Sequence, residues 1–482
     1  MSNLKNKKEN KIITTFTNKK FRSGAFVSLL SLVVIVIVII INLIASDLDL
    51  KVDFSVNDLY TLTDETEELL DMLEDDIIIY YLIETGYEAP MFQEIAERYD
   101  SYSDHISLEH KDPVLYPQFA YQYIDEETEI NNNSFLVVNN SNNRAKYVDN
   151  GELMEQEIDY QSFSYYTVGI DMEGRITSAI QYVTDPNLPT IYKTVGHNEE
   201  DVGPKFMEIL DKQNINLNSL ETLKEEKIPE DCDILFINTP QVDFTDTEIE
   251  MIMNYMESGG NALIIADFTS FKLDNFLSLL EYYGLSYNEG IIVEGDTSMH
   301  VSNTPHFIVP EVLEHDITKN LINNQKFTLM AFASGLTERD SVRSSLEIFP
   351  LLKSSDSSYS KLGQNAESWE KEEGDIDGPF YTGVLASDTF DGTTSSMAVY
   401  TSRMMFDDDS LKNYGNEDIL IGTLGFLTDK TTTFNVPSKS ILPEFIYVTQ
   451  QQAIFWGAMS IVVLPVIILG VGAFIGIRRR KR

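Results

Sequence analysis

The sequence predicts an α/β fold class, with two extracytoplasmic α/β domains between two transmembrane helices. Three observations lead to this prediction. Residues 233–267 hold two short apolar runs with an amphipathic segment between them, which is the pattern of strand, helix and strand. Residues 25–45 and 453–477 are apolar stretches of transmembrane length. The part of the chain between these two stretches is rich in acidic residues.

Residues 233–267 contain the clearest signal for a parallel sheet. Residues 234–237 form a short apolar run of the kind that is buried on both faces of a sheet. Thr245 and Glu248 have the spacing of a capping box, and apolar residues then recur at helical intervals as far as Gly259. Glycine takes the left-handed conformation that ends many helices, and a second apolar run follows it. This order predicts a right-handed βαβ crossover.

The two apolar stretches predict membrane anchors. Residues 33–41 are nine consecutive Val and Ile residues within the first stretch. A cleaved signal peptide is the alternative, but its apolar region is usually 7–15 residues and is followed by a small-residue cleavage site. The longer run here favours an uncleaved anchor. The second stretch has no charged residue, and Pro465 is expected to bend its helix.

Charge predicts the orientation of the chain. Residues 1–22 hold seven Lys or Arg and one acid, and residues 478–482 are all basic, although the whole chain has a net charge of −42. Because basic flanks stay in the cytoplasm, both termini are predicted to be cytoplasmic and residues 47–450 extracytoplasmic at the cell membrane. A body this acidic repels nucleic acid and attracts cations. The single cysteine, Cys232, excludes an internal disulfide.

The first domain is predicted as a βαβ unit followed by a hairpin. The expected elements are strands at 77–83, 106–110, 135–139 and 144–148, and helices at 91–102, 116–124 and 171–183. This order resembles a thioredoxin-like fold. The redox cysteines of such a fold would lie just after the first strand, where residues 84–90 read ETGYEAP. The resemblance therefore implies a domain without thiol–disulfide chemistry.

The second domain is predicted as a class I amidotransferase-like or flavodoxin-like parallel sheet. Strands are expected at 190–195, 234–237, 262–266, 291–294, 380–385 and 397–400, and helices at 204–212, 273–283 and 418–427. Residues 353–377 lack apolar periodicity and are predicted to be an exposed loop. The predicted segments are 1–23 (tail), 24–46 (helix), 47–186 (first domain), 187–450 (second domain), 451–477 (helix) and 478–482 (tail).

Motifs for common enzyme chemistry do not occur. No Gly-Lys pair is present, so a P-loop is excluded, and no dinucleotide-binding, zinc-protease or nucleophile-elbow motif is found. An amidotransferase needs an activated cysteine on a strand-to-helix turn. Cys232 instead precedes a strand. It lies between Asp231 and Asp233, whose negative charges should raise the pKa of its thiol. We therefore predict no enzymatic activity, no cofactor and no metal.

Gly196-His197-Asn198-Glu199 is the strongest candidate site in the sequence. These residues follow a predicted parallel strand, at the edge where open α/β sheets bind ligands. One interpretation makes His197, Asn198 and Glu199 a contact for a polar ligand or a partner. The alternative is a structural turn whose His and Glu cap the helix that starts near Pro204.

Two acidic groups, residues 125–129 and 407–409, have carboxylates that are suitable for calcium. Neither group has the spacing of an EF-hand loop. In so acidic a chain a solvated surface is the favoured interpretation.

Several segments together resemble the GldG-like auxiliary proteins of ABC transporters. They are TLTDETEELLDML at 61–73, YVTDPNLPTIYKTVGHNE at 182–199, FINTPQVDFTDTEIEMIMNYMESGGNALIIAD at 236–267, HDIT at 315–318, FPLLKSS at 349–355 and NEDILIGTLGFLTD at 416–429. The resemblance implies a non-enzymatic accessory subunit in a bacterial membrane, with a separate ABC ATPase and a separate polytopic permease as partners. Membrane lipid would be contacted through the two helices. The family's GH-x-E turn corresponds to Gly196, His197 and Glu199, and the resemblance implies no catalytic residue.

Two other functions stay open. One is a surface module that binds glycan or peptide, which would work after release from its anchors. The other is a degenerate amidotransferase-like hydrolase, which would lose activity with a single His or carboxylate. The sequence does not specify the transported substrate, its direction of transport or the stoichiometry.

Overall fold

The structure, a computed structural model, describes residues 19–47, 53, 55–159, 164–268, 272–362, 368–390, 392–428, 436–442, 456, 459 and 464–480. The chain divides into two compact units, residues 1–59 and residues 60–482. The first unit contains the helix α1 (Lys19–Asp47) and a short 3-10 turn (Val56–Asp58).

Helix α1 agrees with the first predicted membrane segment. Its stretch Phe26–Leu43 is long and apolar enough to cross a membrane, and its side chains are exposed. It is the one helix among the described residues that meets both conditions. For the second predicted segment, the structure describes the 17-residue helix Leu464–Arg480, while most of residues 453–463 lie outside the described residues.

The second unit begins with a four-stranded sheet. Its elements are α2 (Asp64–Asp71), β1 (Ile77–Leu82), α3 (Pro90–Tyr102), β2 (Ile106–Lys111), β3 (Ser134–Asn139) and β4 (Ala145–Val148). The strand order is β2-β1-β3-β4, with β1 parallel to β2 and the β3–β4 hairpin antiparallel to them. The predicted βαβ unit and hairpin are therefore present.

The predicted helix at 116–124 is wrong, because only the 3-10 turn Ala120–Gln122 forms there. The Asp112 carboxylate accepts hydrogen bonds from the amides of Val114 and Leu115. Such side-chain bonds to the backbone compete with helix formation, and they hold the preceding loop as a turn.

A second small sheet connects the start of this unit to its last described strand. It contains β5 (Met154–Asp159) and β6 (Ser164–Ile170), followed by α4 (Met172–Thr184). The strand Lys439–Ser440 pairs antiparallel with β6. The Lys439 ammonium donates to the Thr61 carbonyl and lies 2.7 Å from the Glu173 carboxylate. Residues 61 and 439 are therefore neighbours in space.

The remaining elements form the larger part of this unit. Its helices are α5 (Pro204–Lys212), α6 (Asp246–Glu257), α7 (Asp274–Tyr282), α8 (Lys319–Asn323), α9 (Asp408–Asn413) and α10 (Asn416–Leu427), with α11 (Leu464–Arg480) after it. Its strands are β7 (Thr190–Val195), β8 (Asn216–Glu221), β9 (Ile234–Asn238), β10 (Asn261–Ile265), β11 (Leu285–Asn288), β12 (Ile291–Val293), β13 (His300–Val301), β14 (Thr304–Ile308), β15 (Glu311–Val312), β16 (Met330–Ala331), β17 (Gly335–Glu338), β18 (Leu346–Lys353), β19 (Tyr359–Lys361), β20 (Ile376–Asp377), β21 (Tyr381–Phe390) and β22 (Thr393–Tyr400). The strand Lys439–Ser440 of the second small sheet is β23.

The central sheet is mixed. Its order is β11-β17-β21-β22-β10-β9-β7-β8, and β22, β10, β9, β7 and β8 are parallel to one another. The prediction of a parallel sheet holds for these five strands only. Because a short turn at Gly392 joins β21 to β22, β21 runs antiparallel, and β17, β11 and β18 continue the antiparallel part.

Alternate residues of the parallel strands face two separate cores. Ile234 and Phe236 of β9 pack with residues of α5 and α10, whereas Leu235 and Ile237 pack with residues of α6 and α7. All four residues are at most 1 % exposed. Covering both faces of the sheet explains why β9 reads as a continuous apolar run.

The central crossover forms as predicted. Thr245 and Glu248 make a capping box at the start of α6, and Gly259 has a φ of +95° after its end. Parallel strands β9 and β10 flank the helix. At this helix the local sequence signals and the tertiary packing agree.

The prediction of an exposed loop at 353–377 is wrong in part. Strands β19 and β20 lie within it and pair with each other. The side chain of Lys361 in β19 is 1 % exposed and binds the carboxylates of Glu372 and Asp375. Ion pairs rather than an apolar stripe hold this segment, so it carries no hydrophobic periodicity. Residues 363–367 lie outside the described residues.

Candidate functional site

The candidate site lies where the parallel strands β7, β9, β10 and β22 end. Because these strands are parallel neighbours, the loops at their carboxyl ends meet at one edge of the sheet. The loop after β7 is the predicted GHNE turn, which begins at Gly196 with a φ of +123°. The positive φ favours glycine at this position.

His197 points into the protein. The residue is 2 % exposed, and its ring stacks on Phe244 with centroids 3.9 Å apart. Its Nδ1 lies 3.4 Å from the Glu199 carboxylate, and its Nε2 lies 3.3 Å from the Glu248 carboxylate. The imidazole therefore bridges the turn after β7 and the first turn of α6.

The two glutamates are held by further hydrogen bonds. Glu199 also accepts the backbone N–H of His197 at 2.7 Å. Glu248 accepts the Thr222 hydroxyl at 2.5 Å and the Thr245 backbone N–H at 2.9 Å. The side chains of Glu199 and Glu248 are only 2 % and 4 % exposed. Each charged side chain of this buried network therefore has hydrogen-bonding partners within the protein.

The network favours the charged forms of its members. Burial acts to lower the pKa of His197, but the neighbouring Glu199 and Glu248 outweigh it and raise the pKa above its ordinary value. Burial acts to raise the pKa of Glu199 and of Glu248, yet their hydrogen bonds and the imidazole hold both below the ordinary value. The surroundings thus favour the imidazolium form of His197 and the carboxylate forms of both glutamates.

The structure separates the three sequence-predicted site residues. His197 and the Glu199 side chain are buried in this network, whereas Asn198 is exposed on the surface with a φ of +54°. The alternative interpretation placed His and Glu at the helix that starts near Pro204. They lie instead at the start of α6, and the Asp408 carboxylate accepts the Lys205 backbone N–H at the start of α5.

Beside the turn lies a cleft of about 610 Å³, which we call the carboxyl-edge cleft. Its acidic residues are Glu200, Asp201, Asp407, Asp408 and Asp409. Its apolar residues are the partly buried Val202 and Met404 and the buried Phe206, Phe236, Ile265 and Phe406. Concave sites of this size, with an apolar lining and a few polar groups, are typical binding sites for small ligands or side chains.

Arg403 and Asp267 were not predicted from the sequence. The Arg403 guanidinium lies 2.5 Å from the Glu200 carboxylate and 3.5 Å from that of Asp267. Burial raises the pKa of Asp267 to about 7, although Arg403 and nearby backbone N–H groups act to lower it. Asp267 lines a side hollow of about 350 Å³ that shares Glu200, Arg403 and Met404 with the cleft.

Unusual backbone conformations occur around the same edge. Asn198 follows β7, Thr239 follows β9 with a φ of +53°, and Phe332 lines the side hollow with a φ of +54°. Positive φ is rare for β-branched and bulky residues, and such strain is concentrated at functional sites. The backbone strain therefore distinguishes this edge of the sheet independently of its charged side chains.

The acidic group 407–409 has structural contacts. Asp407 caps α9 by accepting the Ser410 backbone N–H at 2.8 Å, and Asp408 caps α5. Among the described residues, no group of three or more His, Cys, Asp or Glu has an arrangement that would hold a metal ion.

Cys232 is partly buried, and its sulfur lies 3.5 Å from the Tyr255 hydroxyl. Burial, followed by the charges of Asp233 and Asp231, raises the pKa of the thiol to about 11. The predicted direction of this shift is confirmed, although burial is its leading cause. A thiol of this kind is a poor nucleophile at neutral pH.

Residues 188–391 match the model of a family described as an ABC-type uncharacterized transport system. This part of the chain is therefore similar to the ABC transport auxiliary family. The auxiliary domain includes β7 to β21 and therefore most of the carboxyl-edge cleft. Residues 56–155 match a domain of unknown function (DUF7088). The narrower assignment to GldG-like proteins stays a prediction.

No curated protein sequence matches the chain significantly. Among solved structures, the N-terminal domain of mmIFT52 is 19 % identical, with a TM-score of 0.37 over 50 % of this chain and 98 % of that chain. A putative ThuA-like protein from Bacteroides uniformis is 14 % identical, with a TM-score of 0.31 over 51 % and 93 %. A cytoplasmic protein from Salmonella typhimurium is also 14 % identical, with a TM-score of 0.31 over 50 % and 98 %. Likeness at these scores carries no argument about function.

Proposed function

We propose that the chain is a membrane-anchored, non-enzymatic auxiliary subunit of a bacterial ABC transporter. Its extracytoplasmic part contacts the substrate, the permease or the cell envelope. The observation that carries this proposal is the transport-family match of residues 188–391. The ATPase and the polytopic permease are separate chains, in keeping with the absence of a P-loop from the sequence.

Two structural features support a two-pass arrangement, and the basic flanks of the sequence favour cytoplasmic termini. Helix α1 has the length and composition of a membrane span. The Lys439 ammonium binds the Thr61 carbonyl, so residues near the start of the second unit and residues of its last described strand lie side by side. A region inserted between two neighbouring membrane helices needs this proximity of its ends.

The carboxyl-edge cleft is the proposed contact site. It lies at the edge where open α/β sheets bind ligands, and it is lined by residues of four neighbouring loops and strands. Asn198 is exposed beside it, while His197 and Glu199 hold the turn that carries Asn198. In this proposal Asn198 contacts the partner, and His197 and Glu199 position it.

The proposal is tested by purifying the tagged full-length chain in mild detergent and identifying the proteins that remain bound. We expect an ABC ATPase and a polytopic permease in fixed ratio to the chain. Recovery of the chain without either protein, or ATP hydrolysis by the chain alone, would refute the proposal.

A matched pair of variants locates the contact. Arg403→Ala removes the half-exposed guanidinium from the cleft, whereas Arg339→Ala removes a similarly exposed guanidinium that pairs with Glu281 elsewhere. We expect the first variant to lower the ATPase activity of the reconstituted complex at least several-fold and the second to leave it unchanged. Equal effects of the two variants would exclude the cleft as the contact site.

A further inference from the structure

We propose that an apolar tip of the first domain contacts the phospholipid surface of the membrane in which the chain is anchored. The tip consists of Tyr87, which follows β1, and of Val114, Leu115 and Tyr116, which follow β2. This inference rests on the proposed function only in taking the chain as membrane-anchored with this domain outside. It adds a contact with lipid that is separate from the predicted membrane helices.

The four side chains of the apolar tip are largely in solvent. Their exposed fractions are 67 % for Tyr87, 65 % for Val114, 67 % for Leu115 and 58 % for Tyr116. Single exposed apolar residues are common, but a group of them indicates a contact with protein or with membrane. Residues 85–87 and 113–118 contain no charged side chain. The tip can therefore approach lipid although the chain as a whole is acidic.

The apolar tip is held in place by its own loops. Strands β1 and β2 are parallel neighbours, so the loops at their carboxyl ends lie side by side. The Asp112 carboxylate accepts the backbone N–H and the hydroxyl of Thr85 at 3.1 and 3.0 Å. The same carboxylate accepts the backbone N–H groups of Val114 and Leu115 at 2.9 and 3.0 Å. Loops that are already ordered lose little conformational entropy when they bind, so the tip is prepared for a contact.

The start of helix α4 lies at the same end of the sheet as the apolar tip. Strand β3 is antiparallel to β1, so it starts at the end where β1 finishes. The Asn150 side chain donates to the carbonyl of Asn132, just before β3, at 2.8 Å. The Leu153 carbonyl, three residues further on, accepts the backbone N–H of Asp171 at 2.9 Å. Helix α4 begins at the next residue.

Both flanks of the extracytoplasmic region are held at this end of α4. The last turn of the helix lies at the other end of the sheet, where the Val183 carbonyl accepts the side-chain amide of Asn139 at 3.1 Å. In the first turn, the Glu173 carboxylate accepts the Thr63 backbone N–H at 2.6 Å and lies 2.7 Å from the Lys439 ammonium. The flanks and the apolar tip are therefore at one end of the first domain.

Three observations favour lipid over protein as the occupant. The flanks at Thr63 and Lys439 lead to the predicted membrane segments 25–45 and 453–477, so the tip is on the side of the domain that faces the membrane. Side chains that are more than half exposed project from the surface, and a bilayer accepts them without a matching pocket. Tyrosine is enriched at the interface between lipid and water, and leucine and valine gain by entering the apolar layer.

The test uses the full-length chain in nanodiscs of phosphatidylcholine, with a single chain in each disc. A Cys232→Ser background carries Leu115→Cys, Ile37→Cys in α1 or Asp104→Cys, each labelled with the same environment-sensitive fluorophore. Asp104 is exposed just before β2, at the opposite end of the first domain. Phosphatidylcholine with a spin label on its acyl chain quenches fluorophores that it contacts. We expect most of the fluorescence to be lost at positions 115 and 37 and none at position 104.

The lipid headgroup gives a second readout. The chain has a net charge of −42, so a surface that contains anionic phosphatidylglycerol should repel it and weaken the quenching at position 115. Added salt should restore this quenching, because it screens the repulsion. The quenching at position 37 should not change. Stronger quenching at position 115 with the anionic lipid would contradict a contact through an uncharged tip.

Paired variants assign the quenching to the apolar side chains. With the fluorophore on Tyr87→Cys, the changes Val114→Ser and Tyr116→Ser remove two side chains of the tip and should abolish most of the quenching. The changes Leu223→Ser and Val242→Ser remove two exposed apolar side chains from the larger part of the unit and should leave the quenching unchanged. All four replaced side chains lie on the surface, so folding is expected to be preserved, as judged by the melting temperature.

The outcomes separate this inference from the proposed function. Quenching at position 37 without quenching at position 115 would overturn the lipid contact and leave the membrane anchor intact. A blue shift at position 115 without quenching would also overturn it, because protein would then cover the tip. Equal losses in the two pairs of variants would refute the role of the tip. The absence of quenching at every position would refute the anchor together with the inference.

Discussion

His197 shows how its surroundings determine the role of a polar residue. The sequence places it in a turn at the edge of a parallel sheet, which is the usual position of a ligand contact. In the structure its ring is stacked on Phe244 and bridges Glu199 and Glu248, which belong to different segments. His197 therefore positions the turn after β7 and the start of α6.

Replacing His197 by Gln should therefore destabilise the protein. The substitution leaves two buried carboxylates without their cation, and breaking a buried charge pair of this kind costs about 3 kcal/mol. Chemical denaturation near pH 6 measures the loss. His105→Gln is the control, because the pair between His105 and Asp76 is exposed. An equal effect of both variants would show that the buried network contributes little.

The effect of His197→Gln should depend on pH. The raised pKa of His197 gives a stabilisation that is complete below about 6.5 and is lost as pH rises through its folded pKa. The lowered pKa values of Glu199 and Glu248 give a stabilisation that is present above about 4.5 and is lost as pH falls. The free energy of unfolding of the wild type should exceed that of the variant by the largest amount between about pH 4.5 and about pH 6.5. A difference that is constant from pH 4 to pH 9 would contradict this explanation.

The contribution of Asp267 to stability should also depend on pH. Its folded pKa of about 7 lies above the ordinary 3.8, so its contribution to stability is greatest at low pH and falls as pH rises to about 7. Asp267→Asn removes the cost of a buried charge but also the pair with Arg403, and we expect a net gain of about 2 kcal/mol at pH 8. The gain should disappear near pH 4. Asp340→Asn, at an exposed position outside the helices and strands, is the control and should leave the free energy of unfolding unchanged at both pH values.

The sequence predicted part of this site. The GHNE turn was found from its position after an apolar run, and that position is correct. Asp267 also follows such a run and had a detectable signal, since it is the first acid after β10. Arg403 had none, because its pairing with Glu200 depends on the distant end of β22. Burial of His197 required a partner 51 residues away, which no local pattern specifies.

At the level of elements, the start of α6 is where several parts of the fold meet. The capping box is local, but Thr222 and His197 reach Glu248 from two other segments. Glu248 therefore satisfies its own helix and joins it to the loop after β7 and to the segment after β8. A cap that is also a tertiary contact ties the position of the helix to that of the sheet.

Thr245→Ala should weaken this helix start. The hydroxyl donates to Glu248 and accepts its backbone N–H, and loss of such a cap costs about 1 kcal/mol. Thr245→Ser retains the hydroxyl and should cost less than half as much. The free energies of unfolding of both variants, compared with the wild type, decide the matter. Equal losses would assign the effect to the missing methyl group.

The elements that were predicted correctly carry their own signals. Helices α5, α6, α7 and α10 have apolar faces and clear ends, and β9 and β10 are apolar runs between turn residues. Strand β8 was missed because three of its six residues are exposed and polar at the edge of the sheet. Strands β13, β15, β16, β19 and β20 were missed because two or three residues are too few to show a period.

At the level of the whole molecule, the predicted orientation is a testable property. Ser2→Cys and Asp356→Cys, in a Cys232→Ser background, place single thiols in the basic tail and on the exposed surface of the second domain. A membrane-impermeant maleimide applied to intact cells should label position 356 and not position 2. Labelling of both positions after the cells are permeabilised is the control. Labelling of position 2 in intact cells would reverse the orientation.

The neighbouring positions of Thr61 and Lys439 have a mechanical consequence. A pull applied through residues 61 and 439 reaches the protein at α4 and β6, and the hydrogen bonds of the strand Lys439–Ser440 carry it first. The large sheet stands outside this line of force. The central sheet is therefore expected to keep its structure under such a pull, and residues 61–439 should fold when they are inserted into a tight loop of another protein.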